Sequence, residues 1–94
     1  MARIVVSDRH AGELERLLLR LSEKDAPAFK TLYAATRRKL FSVILPLVKR
    51  RYLAEEVLQE TYVRVWLNAA SYRRSLGSPM VWMTTISPIN GTVF

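Results

Sequence analysis

Between Glu13 and Leu21, apolar residues return at i, i+3, i+4 and i+7 as Leu14, Leu17, Leu18 and Leu21. That is the stripe of an amphipathic helix. The ten residues before it carry little pattern and are expected to be a loose N-terminus. Asp25 followed by Pro27 reads as an N-cap with proline tolerated in the first helical turn. The helix this begins places Phe29, Leu32, Tyr33, Leu40, Ile44 and Val48 toward a core, and Pro46 is expected to kink or fray its last turns. KRRY at 49–52 is the expected joint. A third helix is predicted over roughly 53–70, then a loop SYRRSLG at 71–77. Ser78 and Pro79 are an N-cap and N1 proline for a fourth helix through MVWMTTI, which Pro88 stops after about two turns. No helical pattern follows in SPINGTVF, and strand signals are almost absent. The prediction is an all-α domain of three good helices and one stunted one.

At about 100° per residue, the third helix separates into faces. Val57, Leu58, Thr61, Tyr62, Val65, Trp66 and Ala69 span one broad side suited to a core. Glu56, Gln59 and Glu60 lie opposite at i, i+3 and i+4, which alone reads as a solvated face. Val63 and Leu67 fall in line with them. A stripe that is acidic at one end and apolar at the other has the mixed character of a protein interface.

Charge sharpens this picture. The 94 residues carry net +7, and from Ala26 onward ten basic residues face only three acids. Those acids are Glu55, Glu56 and Glu60, all inside AEEVLQETYVRVW at 54–66. The basic residues cluster as RRK at 37–39, KRR at 49–51 and RR at 73–74, a distribution that fits either a polyanionic partner such as nucleic acid or a solubilising surface. An acidic patch on so basic a domain can dock on a basic protein while the rest holds nucleic acid.

The absence of cysteine excludes disulfides and Cys-based zinc sites and is in keeping with a cytoplasmic protein. One histidine, His10, gives little to build a metal centre with. The longest apolar run, LFSVILPLV at 40–48, is too short to span a bilayer. Paired carboxylates can signal acid–base catalysis, but there is no neighbouring histidine, Gly-rich phosphate loop or nucleophile–base set. Neither an enzyme nor a bound cofactor or metal is expected.

FKTLYAATRRKLFSVI at 29–44, AEEVLQETYVRVW and SPMVWMTTI at 78–86 together resemble the second conserved region of bacterial RNA polymerase sigma factors of the extracytoplasmic-function group. The resemblance runs from about Leu14 to Ile86. The family's middle motif is similar to A-E-D-hydrophobic-hydrophobic-Q-E-x-F-x-x-x-W. Ala54, Glu55, Glu56, Gln59, Glu60, Tyr62 and Trp66 meet it, with Glu56 in place of the usual Asp. The resemblance implies a compact three- to four-helix bundle over 11–87 with a shortened last helix. It also implies that Glu56, Gln59 and Glu60 dock on the clamp coiled coil of the polymerase β′ subunit. Val63 and Leu67 join them as apolar neighbours, on the wheel placement. In the family, the loop before the fourth helix and that helix itself open the promoter −10 element and capture a flipped base. That role falls here to Tyr72, Arg73, Arg74, Ser75 and Trp82. Arginines can engage phosphates, and an aromatic ring can stack on an unpaired base. On so short a helix, Trp82 reads more readily as a core tryptophan.

The resemblance lapses after WMTTI. The family continues with something like A-R-N-x-x-I-D-x-x-R, whereas SPINGTVF at 87–94 lacks those residues, so 88–94 is expected to be a non-matching tail. A helix-turn-helix domain reading the −35 element is also expected to be absent, leaving autonomous promoter recognition in doubt. The alternative function is a protein-interaction module that binds an anti-sigma factor or polymerase as a competitor. The shortened fourth helix also raises homodimerisation through its exposed edge.

Overall fold

Apolar periodicity closes three long helices around one core in the computed structural model, which describes residues 2–91, with side chains from 12 to 89. Helix α1 spans Ala2–Leu21 and buries Leu14, Leu18 and Leu21, the stripe read from the sequence. It begins ahead of that stripe. The expectation of a loose N-terminus falls on positions whose side chains lie outside the described residues. Helix α2, Ala26–Val48, starts as predicted: the Asp25 carboxylate accepts the Ala28 N–H at 3.2 Å, and Pro27 occupies the first turn. It passes through Pro46 and ends two residues later, where Lys49 turns left-handed (φ 67°) and its N–H donates to the Leu45 carbonyl.

Helix α3, Arg51–Asn68, begins two residues earlier than the pattern indicates, so the joint is only Lys49 and Arg50. Its buried face is Ala54, Leu58, Thr61, Tyr62 and Val65. The predicted loop is more ordered than expected. A short 3₁₀ turn at Arg74–Leu76 lies inside it, and another at Ala69–Ser71 takes the place of the third helix's expected last residues. Helix α4 is Pro79–Ile86, with the Ser78 hydroxyl accepting the Val81 N–H.

The segment after α4 corrects the sequence reading. Pro88 stops α4 but also starts α5, Pro88–Gly91. Ser87 is forced extended (ψ 147°) because it precedes proline, and proline then suits the first position of a new turn. This corner is held from inside. The buried Thr61 hydroxyl pairs with the Val57 carbonyl at 2.7 Å and the buried Ser87 hydroxyl at 2.9 Å. Arg64 Nη1 donates to the Ile86 carbonyl at 3.1 Å, and Ile89 packs on the core. The second buried polar link is Thr36 to Tyr62, joining α2 and α3. Among the described residues, no buried side-chain polar atom lacks a partner. The radius of gyration, 13.0 Å, is close to the roughly 12 Å expected for a compact chain of this length.

Candidate functional site

The outward face of α3 carries Glu56, Gln59 and Glu60 exposed, followed by Val63 and Leu67, which are 50% and 65% exposed. The structure thus brings all five predicted docking residues onto one surface. Glu60 accepts from Arg64 one turn on at 3.4 Å, a surface pair that contributes little by itself. Glu56 makes no ion pair among the described residues.

This face continues into an apolar groove of about 320 Å³ between α2 and α3. Phe29 and Tyr33 of α2 line one wall, and Gln59, Tyr62, Val63, Trp66 and Leu67 of α3 the other. Two i,i+4 aromatic pairs therefore face each other, with ring centroids 5.4 Å apart for Phe29–Trp66 and 4.8 Å for Tyr33–Tyr62. Sequence reasoning placed Phe29, Tyr33 and Trp66 in the core. They are half-buried and belong to core and surface alike. The signal that could have found them is the pair of aromatic i,i+4 repeats at the edges of two facing stripes.

Cations flank the groove. Lys24 Nζ lies 4.9 Å over the Trp66 ring and donates to the Trp66 carbonyl, while Arg37 lies 5.3 Å over Tyr33. The Tyr62 phenol beneath is buried, which pushes its pKa up to about 12 against the lowering effect of its hydrogen bond with Thr36, so it keeps its proton at ordinary pH.

The second predicted surface, between α3 and α4, divides. Arg73 and Ser75 are exposed, and Arg73 makes no ion pair among the described residues. Arg74 is engaged: its Nη2 and Nε meet the Glu15 carboxylate at 2.8 and 3.2 Å. The half-buried Tyr72 hydroxyl lies 2.8 Å from the Gly77 carbonyl and 3.4 Å from Glu15. Trp82 is only 4% exposed and packs edge-on against Tyr72 at 5.4 Å. At the fourth position of α4 its side chain falls on the buried face beside Met83, where a core tryptophan would lie. Gly77 ends the loop at φ 111°, and a Cβ there would meet Val81 Cγ1 at 2.9 Å, so both backbone and space require glycine.

Of the two other basic clusters, Arg51 lies 5.2 Å over the Phe41 ring, whereas Arg38, Lys39, Lys49 and Arg50 project without ion pairs among the described residues. Among the described residues, no group of three or more His, Asp or Glu could hold a metal ion, and no helix is long and apolar enough to cross a membrane.

The fold and these surfaces define a small helical domain with an acidic-to-apolar face and a basic loop. A family model described as Sigma-70 region 2 matches residues 32–87, which is 56 of the 94 residues. The chain belongs to the sigma-70 region 2 family. The ECF RNA polymerase sigma factor SigK of Mycolicibacterium vanbaalenii is 36% identical over 76 residues, 81% of this chain and 39% of that protein. A SigK of Mycobacterium sp. (strain KMS) is 35% identical over 75 residues, 80% of this chain and 39% of the relative. A SigK of Mycobacterium tuberculosis (strain ATCC 25177 / H37Ra) is 29% identical over 79 residues, 84% and 42% of the two chains. This chain therefore spans about two fifths of the length of these curated relatives. No solved structure matches it.

Proposed function

We propose that this domain acts in transcription initiation as a sigma-factor module, docking on the β′ clamp coiled coil of RNA polymerase through α3 and meeting promoter −10 DNA through the α3–α4 loop. It works by binding and performs no bond chemistry of its own. The observation that carries the docking half is the exposed run Glu56, Gln59, Glu60, continued by exposed Val63 and Leu67 beside an aromatic groove. Carboxylates steer a basic partner and fix its register, and the apolar end supplies desolvated contact area. For the DNA half, Arg73 and Ser75 are the free polar groups. Tyr72 and Trp82 support the loop from behind, and Arg74 is paired with Glu15 at its surface.

The test is binding to an isolated β′ clamp coiled-coil fragment, beside a Glu56/Gln59/Glu60→Ala variant whose fold is checked by circular dichroism. Wild type is expected to bind with a Kd of roughly micromolar, and the variant to lose at least about tenfold, or 1.4 kcal/mol. A folded wild type that ignores the coiled coil removes the docking reading.

The engagement of Arg74 and Trp82 favours a second reading, in which the domain is a competitor that binds polymerase or an anti-sigma factor without opening DNA. In that case single-stranded −10 DNA binds no better than a scrambled strand, and all binding fades with salt. A second copy of the chain would use the exposed Val81 on the short α4 and Leu76 just before it. A monomer mass independent of concentration in sedimentation removes that partner.

A further inference from the structure

Glu15 is a charged residue on α1 that neither the core nor the docking face uses. It lies between the buried Leu14 and half-buried Leu17 of the α1 stripe, and its side chain is only 20% exposed, against 83% for the Arg74 side chain it meets. The less exposed, helix-borne partner is the anchor, and the loop residue is what it holds. Two N–H groups of Arg74 reach its two oxygens, at 2.8 Å and 3.2 Å, which is the bidentate geometry that fixes orientation as well as distance. The Tyr72 hydroxyl also reaches toward it, at 3.4 Å, while closing the loop on the Gly77 carbonyl. The ring of the same tyrosine packs on Trp82. One carboxylate thus ties both ends of the Arg74–Leu76 turn, directly or through Tyr72, to α1 and α4. The Arg74 guanidinium in turn holds the Glu15 carboxyl below the usual carboxylate range. Glu15 lies outside residues 32–87, so the family match includes the loop but not its anchor.

We propose that Glu15 is a positioning residue for the α3–α4 loop, clasping Arg74 and Tyr72 against the helical body and leaving Arg73 as the loop cation free for a phosphate. The last clause rests on the reading of this loop as the DNA contact. The clasp itself does not. Two adjacent arginines of the same type are given different work by one acid 59 residues away.

The experiment uses the full chain carrying Trp66→Phe, which leaves Trp82 as its single tryptophan. Trp82 emission and its quenching by acrylamide are read in Glu15→Gln, in Arg74→Gln and in the double variant, each with its helicity checked by circular dichroism. A clasp predicts that both single variants red-shift the emission and raise the quenching constant, and that the double variant goes no further than either. Unchanged emission and quenching in folded Glu15→Gln overturn it, as do effects of the two substitutions that simply add. A separate arm measures a fluorescein-labelled single-stranded oligonucleotide across a salt series. In Arg73→Gln the slope of log affinity against log salt is expected to fall by about 0.7, the share of one phosphate on a single strand. If quenching behaves as expected but Arg73→Gln leaves affinity and slope unchanged, the clasp stands and the DNA reading of the loop fails.

Discussion

Tyr62 stands where core and groove meet, and its titration reports which side dominates. Its side chain is 3% exposed, and burial holds the phenol at about 12, above its ordinary value near 10. The proton is therefore kept longer in the folded chain than in the unfolded one. Stability is fully present below pH 10 and falls as pH rises from 10 toward 12, by about 2–3 kcal/mol if the whole shift is expressed. Urea unfolding at pH 9 and pH 11 should show a steeper loss in wild type than in Tyr62→Phe, and equal losses would place the phenol in contact with water. At this scale the sequence was partly legible. Tyr62 belonged to the core face by spacing alone, whereas the spacing of Trp82 left core and surface both open. For Arg73 and Arg74, adjacent on an irregular segment, no periodicity applies. Only the distant Glu15 distinguishes them, and nothing in local sequence announces a partner that far away.

Among the elements, the instructive one is the corner from α4 to α5. Pro88 marks the end of one helix in the sequence, and the same ring starts the next turn because its missing N–H would have been unpaired there anyway. The pattern of SPINGTVF is too short to show a stripe, so a single helical turn held by tertiary contacts could not be read from it. The contacts that hold it are specific. Thr61→Val keeps side-chain shape but leaves the buried Ser87 hydroxyl without its partner, at a cost of about 1–3 kcal/mol. Ser87→Ala removes the same bond from the other side. Chemical denaturation of both variants and their combination should give a double loss smaller than the two single losses together, as expected for residues that share one bond. Additive losses would show that the corner is held by Ile89 packing and the Arg64 bond instead. The long helices were legible for the converse reason. Three stripes of 3.6-residue period and the Asp25 and Ser78 caps act locally and agree with the packing they produce.

Across the whole molecule, the charge pattern read from the sequence becomes an axis. Glu55, Glu56 and Glu60 precede Val63 and Leu67 along α3, and the Arg73–Arg74 loop follows its end. From Glu56 to Asn68 the helix alone runs about 18 Å, well beyond the 7–10 Å within which side chains usually couple, and beyond a Debye length at physiological salt. Glu56 and the loop should therefore be energetically separate although they share one rigid helix with Leu67 between them. Glu56→Lys is expected to weaken clamp coiled-coil binding at least about tenfold, while changing single-strand affinity by no more than about twofold. Arg73→Gln should show the reverse selectivity. In the double variant each affinity should equal that of the relevant single variant within about 0.5 kcal/mol, measured by fluorescence anisotropy at fixed salt. Were Glu56→Lys to raise single-strand affinity as strongly as it lowers clamp binding, the acidic patch would be acting as a guard against DNA along the whole of α3. The basic clusters at 37–39 and 49–51 would then have to be counted in the nucleic-acid surface.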